Sequence, residues 1–115
     1  MANTFKVVTK AGVTSADVIY TVAGSTTTVV LGMMVGNTTT GQITVTVTLT
    51  SDTPNRAGAN NEDNQTVELV TTAPEPVGGS LELLSGNKVV METTDSLTLT
   101  ATGAADIALS IMEIT

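Results

Sequence analysis

The stretch ITVTVTLT, residues 43–50, alternates an apolar residue with a threonine at every step. Successive side chains on a β-strand point to opposite faces. Ile43, Val45, Val47 and Leu49 therefore share a face suited to a core, and Thr44, Thr46, Thr48 and Thr50 share the other. The second face is neutral. Solvent-facing strands ordinarily carry lysine and glutamate, partly to block edge-to-edge pairing. A face of β-branched, lightly hydrated threonine suits contact with another protein surface, where a charge would be costly to desolvate.

The same character extends over the whole chain. Of 115 residues, 24 are threonine and 15 are valine, both stiff at χ1 and favouring a pleated backbone. Working outward from residues 43–50, short runs with period-two patterning alternate with turn signals. The expected strands are Thr4–Thr9, Asp17–Val22, Thr26–Val35, Ile43–Thr50, Thr66–Thr71, Leu81–Leu84, Lys88–Glu92, Ser96–Thr100 and Ala108–Ile114. The third becomes continuously apolar from Val29, as a strand buried on both faces would, and Gly32 inside it suggests a bulge or close packing. Residues 37–42, 73–79 and 103–106 read as turns, and Ser51 to Gln65 is a polar loop. About nine short strands without helical periodicity predict an all-β, single-domain β-sandwich over residues 1–115, jelly-roll-like in layout, with a small barrel as the alternative. Alternation assigns the core to Val18, Tyr20, Val30, Ile43, Val45, Val47, Leu49, Leu81, Leu97, Leu99, Leu109 and Ile111. The two aromatics, Phe5 and Tyr20, are both expected inside.

Composition narrows the function. A net charge of −7, with Lys6, Lys10, Arg56 and Lys88 the only cations, disfavours nucleic acid and anionic membrane surfaces as partners. The N-terminal MANTFKVVTK shows no apolar segment of signal-peptide type, and no apolar run reaches membrane-spanning length. Without cysteine there is no disulfide framework or thiolate chemistry, and without histidine no base near neutral pH. The lysines sit in no S-x-x-K motif, and two aromatics make no sugar platform. We therefore expect no enzymatic activity, cofactor or required metal. The oxygen-rich loop Asp52 to Asp63 lacks the ligand spacing of an EF-hand and reads as solvated. Met33 and Met34 fit core filling, or a soft contact surface. Glu92 to Asp95 is an acidic turn expected to point outward.

Two segments carry a resemblance: VIYTVAGSTTTVVLGMMVGNTTTGQITVTVTLT (residues 18–50), and APEPVGGSLELLSGNKVVMETTDSLTLTAT (residues 73–102) with the closing LSIMEI. Together they resemble a group of small virion proteins of tailed bacteriophages, many of marine and cyanobacterial viruses. The matching positions are Tyr20, Thr21, Asn37, Pro76, Gly79, Leu81, Leu84, Gly86, Asp95, Leu97 and Glu113. The chain departs from that pattern at residues 22–25, VAGS, and at Thr94, where the group carries glycine. The resemblance implies a structural virion component without an active site, made in the bacterial cytoplasm and assembled into the particle. It implies a capsid decoration or cement protein bound to the major capsid protein, or else a subunit of tail, neck or fibre. A cell-surface binding module is the alternative from another class. Self-association, as a trimer, is expected, with Thr44, Thr46, Thr48, Thr50, Met33 and Met34 as candidate interface residues.

Overall fold

A computed structural model describes residues 2–52, 65–84 and 87–115. Nine strands follow in order: β1 (Asn3–Val13), β2 (Ala16–Thr21), β3 (Thr27–Asn37), β4 (Ile43–Ser51), β5 (Gln65–Glu75), β6 (Ser80–Glu82), β7 (Val89–Met91), β8 (Ser96–Ala101) and β9 (Ala105–Ile114). Each coincides with an expected strand. β5 runs further into the proline-marked segment, and β9 starts inside the expected 103–106 turn. Pro74 fits within β5 because β5 is an edge strand, where a missing N–H is tolerated.

The strands form two antiparallel sheets. One has the order β1-β9-β3-β6, with β7 also paired to β3; the other has the order β2-β8-β4-β5. β6 binds Met34–Gly36 and β7 binds Thr28–Val30, so the two short strands share one edge of β3. Counting them as one position leaves four strands per sheet, and the chain alternates sheets from β1 to β2 and from β8 to β9. This is the jelly-roll arrangement.

The two inner faces form one core, including Val30, Met33, Val35, Val45, Val47, Leu97, Leu99, Leu109 and Ile111. The continuously apolar run of β3 has a specific cause. Its register against β9 shifts between Val30 and Gly32, so Val30 and Met33 both point inward across a bulge. Met33 is thus wholly buried and offers nothing to an interface, whereas Met34 is half exposed on the outside.

Two core assignments need correction. Val18 is exposed because β2 carries an extra residue between Val18 and Tyr20 against β8; the slip turns Val18 outward while Tyr20 stays partly buried. Phe5 is 71% exposed. Its alternation with Val7 is real, but β1 pairs with β9 so that Lys6 lies opposite Ile111 and Val8 opposite Leu109. Those partners point inward, which sends Phe5 and Val7 out. Leu49 and Leu81 line the core only in part.

Candidate functional site

The polar positions of the resemblance turn out to be fastenings of the fold. Tyr20 reaches across the sandwich from β2, and its hydroxyl donates to Glu113 Oε2 on β9 at 2.6 Å and pairs with Thr28 Oγ1 on β3 at 2.7 Å. Glu113 Oε1 in turn binds Lys6 Nζ on β1 at 2.7 Å. Burial, reinforced by the carboxylate acceptor, pushes the Tyr20 hydroxyl up to about 12. The Lys6 ammonium and the Tyr20 hydroxyl hold the Glu113 carboxyl below its ordinary value. Four strands from both sheets meet in this network.

Asn37 is a second fastening, buried at the end of β3. Its amide nitrogen donates toward the carbonyls of Gly41, Glu75 and Pro76 at 2.9, 3.0 and 3.1 Å, and its oxygen accepts the Thr39 N–H at 2.9 Å. Asp95 is a third. It is 1% exposed, which corrects the expectation of an outward acidic turn. Its Oδ1 accepts the Asp52 N–H at 2.8 Å and its Oδ2 the Glu92 N–H at 3.0 Å, so one carboxylate ties two segments together. Buried carboxylates are tolerated where backbone donors compensate them in this way. Thr94, at the position where the resemblance has glycine, lies at φ 73°, in the left-handed region that glycine favours. The departure in sequence is therefore a local backbone strain.

Glu75 is different. It is 1% exposed, and neither carboxyl oxygen has a hydrogen-bond partner. It lies opposite Ile43 in the β4–β5 pair, and burial raises its pKa. Sequence reading placed this residue in a turn because two prolines flank it.

The threonine face is the outer surface of the β2-β8-β4-β5 sheet. Thr46 stands opposite Thr100, Thr48 opposite Thr98 and Thr50 opposite Ser96. Several of these hydroxyls work within the sheet. Thr46 Oγ1 accepts the N–H of Thr72 at 2.9 Å, where β5 bulges at a φ of 47°. Thr50 and Thr66 hydroxyls pair at 3.2 Å, and the Thr44 N–H donates to Thr102 Oγ1 at 2.9 Å. Thr44, Thr46, Thr48 and Thr50 are all half-buried, lined up as the alternation requires. Glu68, opposite Thr48, brings a charge beside this face and accepts a hydrogen bond from Thr71.

The opposite broad face is one that sequence reading missed. The registers align Phe5 with Met112, Met112 with Val29, and Val29 with Val90. One uninterrupted apolar row thus crosses β1, β9, β3 and β7 on the outside of the sheet. Phe5 is 71% exposed, Val7 67%, Val90 61% and Met34 50%. Beyond Met34 a shallow groove of about 450 Å³ has small residues, Gly36 and Ala108, among its lining. No single strand announces this surface, because each contributes only one or two of its residues.

Among the described residues no group of three or more His, Cys, Asp or Glu is placed to hold a metal ion, and no helix is long and apolar enough to cross a membrane. Residues 53–63 of the oxygen-rich loop lie outside the described residues.

No family model matches the chain, and no curated protein matches it in sequence. Solved structures do match. The chain is similar to a protein of the disulfide-linked pili that form Bacillus endospore appendages, at 15% identity and a TM-score of 0.49, over 97% of this chain and 84% of that one. It is also similar to a protein of infectious bursal disease virus, Gx strain, at 12% identity and a TM-score of 0.53, over 96% of this chain. It spans 32% of that viral protein's length, and at this identity the likeness is one of fold.

Proposed function

We propose that this protein is a structural subunit of a tailed-bacteriophage particle, a decoration protein seated on the head shell that performs no chemistry. The observation that carries the reading is the distribution of charge. The chain is strongly acidic, yet the apolar row of one broad face carries no charged residue, and the threonine rows of the other meet a charge only where Glu68 stands opposite Thr48 on the edge strand β5. A sandwich with two such faces is suited to being packed against neighbours. The resemblance of residues 18–50 and 73–102 to phage virion proteins supports the reading. So does the role of Tyr20, Asn37, Asp95 and Glu113 as fastenings, since a group defined by a scaffold would share such residues. The jelly-roll likeness to a viral protein adds an analogy of fold.

The test is quantitative mass spectrometry of purified particles from the phage that encodes the chain. A decoration protein is expected at roughly hundreds of copies per particle, and a tail, neck or fibre subunit at roughly six to a few dozen, as their symmetries require. The lower number would move the protein to the tail. Absence from purified particles would overturn the virion reading.

A further inference from the structure

We infer that the outer face of the β1-β9-β3-β6 sheet binds a second copy of this chain, two molecules meeting face to face across the apolar row Phe5–Met112–Val29–Val90. The inference rests on the structural-subunit reading only for its biological setting, since its grounds are geometric.

The face reaches the lower end of the size that a stable contact needs. Four strand positions about 4.8 Å apart and some ten residues at about 3.3 Å each give roughly 600 Å² in projection, before side-chain relief is counted. A standard interface covers about 800 Å² per partner. The face is also apolar where it must be. Phe5, Val7 and Val90 are exposed, Met112 and Val29 lie between them in register, and Phe5 and Met112 belong to residue types enriched in contact cores.

Charge selects the occupant. Two copies of a chain with net charge −7 repel unless they meet on uncharged ground. The row itself is uncharged. Two acids of this face, Glu82 beside Met34 and Asp106 beside Gly36, stand toward the opposite end of the strands. A foreign partner of an acidic protein would be expected to present cations, and nothing in this row would pair with them.

Symmetry selects the arrangement. A single contiguous patch fits an isologous two-fold contact, whereas a threefold ring needs two different patches. A two-fold axis along the strands lays the row on itself, with Phe5 over the second copy's Val90 and Met112 over its Val29. The same axis sets Asp106 opposite Gly36 rather than opposite another acid. This replaces the trimer expected from the sequence with a pair, and moves the self-contact from the threonine face to the other side of the sandwich.

The experiment compares the full chain with two double variants by analytical ultracentrifugation at tens of micromolar, with circular dichroism to confirm the fold. Phe5→Lys with Val90→Lys alters only exposed positions of the row. Thr48→Lys with Thr98→Lys places the same charge on the threonine face. The native chain and the threonine-face variant are expected to sediment at about twice 11.7 kDa. The Phe5/Val90 variant should sediment as a folded monomer, a twofold loss of mass. A monomeric native chain, or a Phe5/Val90 variant that stays paired, overturns the inference. So does a monomeric native chain whose row variant loses binding to particles, because the row then serves a different partner. A paired protein absent from virions would leave this contact standing and sink the functional reading instead. A virion protein that is monomeric would do the reverse.

Discussion

Replacing Glu75 with methionine removes a buried carboxyl that, alone among those of the described residues, has no hydrogen-bond partner. Methionine is similar in length and volume and carries no group that needs a hydrogen bond. An unsatisfied buried polar group costs about 1–3 kcal/mol, and swapping it for an apolar group of like shape recovers that cost. Unfolding entropy near 2.1 cal/mol/K per residue gives roughly 240 cal/mol/K for a chain of 115 residues, so each kcal/mol moves Tm by about 4 °C. The Glu75→Met protein should therefore melt about 4–12 °C higher than the native chain at pH 7. The sign of the pH dependence is fixed by the raised pKa. Below the ordinary carboxyl value of 4.5 Glu75 is protonated in both folded and unfolded chains. As pH rises above it, the unfolded chain releases a proton that the fold retains, so native stability falls until the folded pKa is passed. The gain from Glu75→Met should accordingly be largest at neutral pH and shrink toward pH 4. Other carboxylates titrate in both proteins and cancel from the difference. Paired calorimetric scans at pH 4, 5.5 and 7 measure it. A difference independent of pH, or a variant that melts lower at pH 7, would refute the reasoning.

Three further outcomes follow from residues already placed. Val47 is 1% exposed in the middle of β4, so Val47→Asp should abolish cooperative folding, since an unpaired buried charge costs several kcal/mol; a soluble variant with a sharp melting transition would contradict this. Thr94→Gly should raise stability by about 1 kcal/mol in urea unfolding, because a β-branched residue in the left-handed region costs roughly 1–2 kcal/mol that glycine avoids, partly offset by the entropy of the unfolded glycine. Thr46→Val should cost about 1 kcal/mol by leaving the Thr72 N–H without its acceptor, whereas Thr48→Val, whose hydroxyl makes no such bond, should be near neutral; the two midpoints in one urea series decide it.

How much of this was legible in the sequence depends on the range of the interaction. The strands were, because alternation is local, and ITVTVTLT delivers Ile43, Val45 and Val47 to the core as its period requires. Which face of a strand is inside is not local. Phe5 and Val7 alternate as cleanly as Val45 and Val47, yet the register of β1 against Leu109 and Ile111 turns them out. Bulges add a second limit, since one extra residue in β2 exposes Val18 and one in β3 buries Met33 beside an exposed Met34. Acidic residues in turn-like segments read as solvated, and only the fold brings the Asp52 and Glu92 amides to Asp95, or closes the sandwich over Glu75. The glycine missing at residue 94 was visible as a departure from a pattern, and its meaning needed the backbone angle. The apolar row is the extreme case. It is assembled from residues 5, 29, 90 and 112, which only strand pairing brings into line.

The position of β9 has a consequence for synthesis on the ribosome. Ala105–Ile114 lies between β1 and β3, so until it emerges the first sheet has no middle strand and β1 has no partner in it. A nascent chain can form the β4–β5 hairpin early, but it must carry the apolar length of β3 unpaired along one edge until almost all of the domain has been translated. Closing the two most distant strands of the domain is the entropically expensive step, so folding should be late, slow and all-or-none. During that interval the exposed β3 edge is the segment most open to aggregation or to capture by a chaperone.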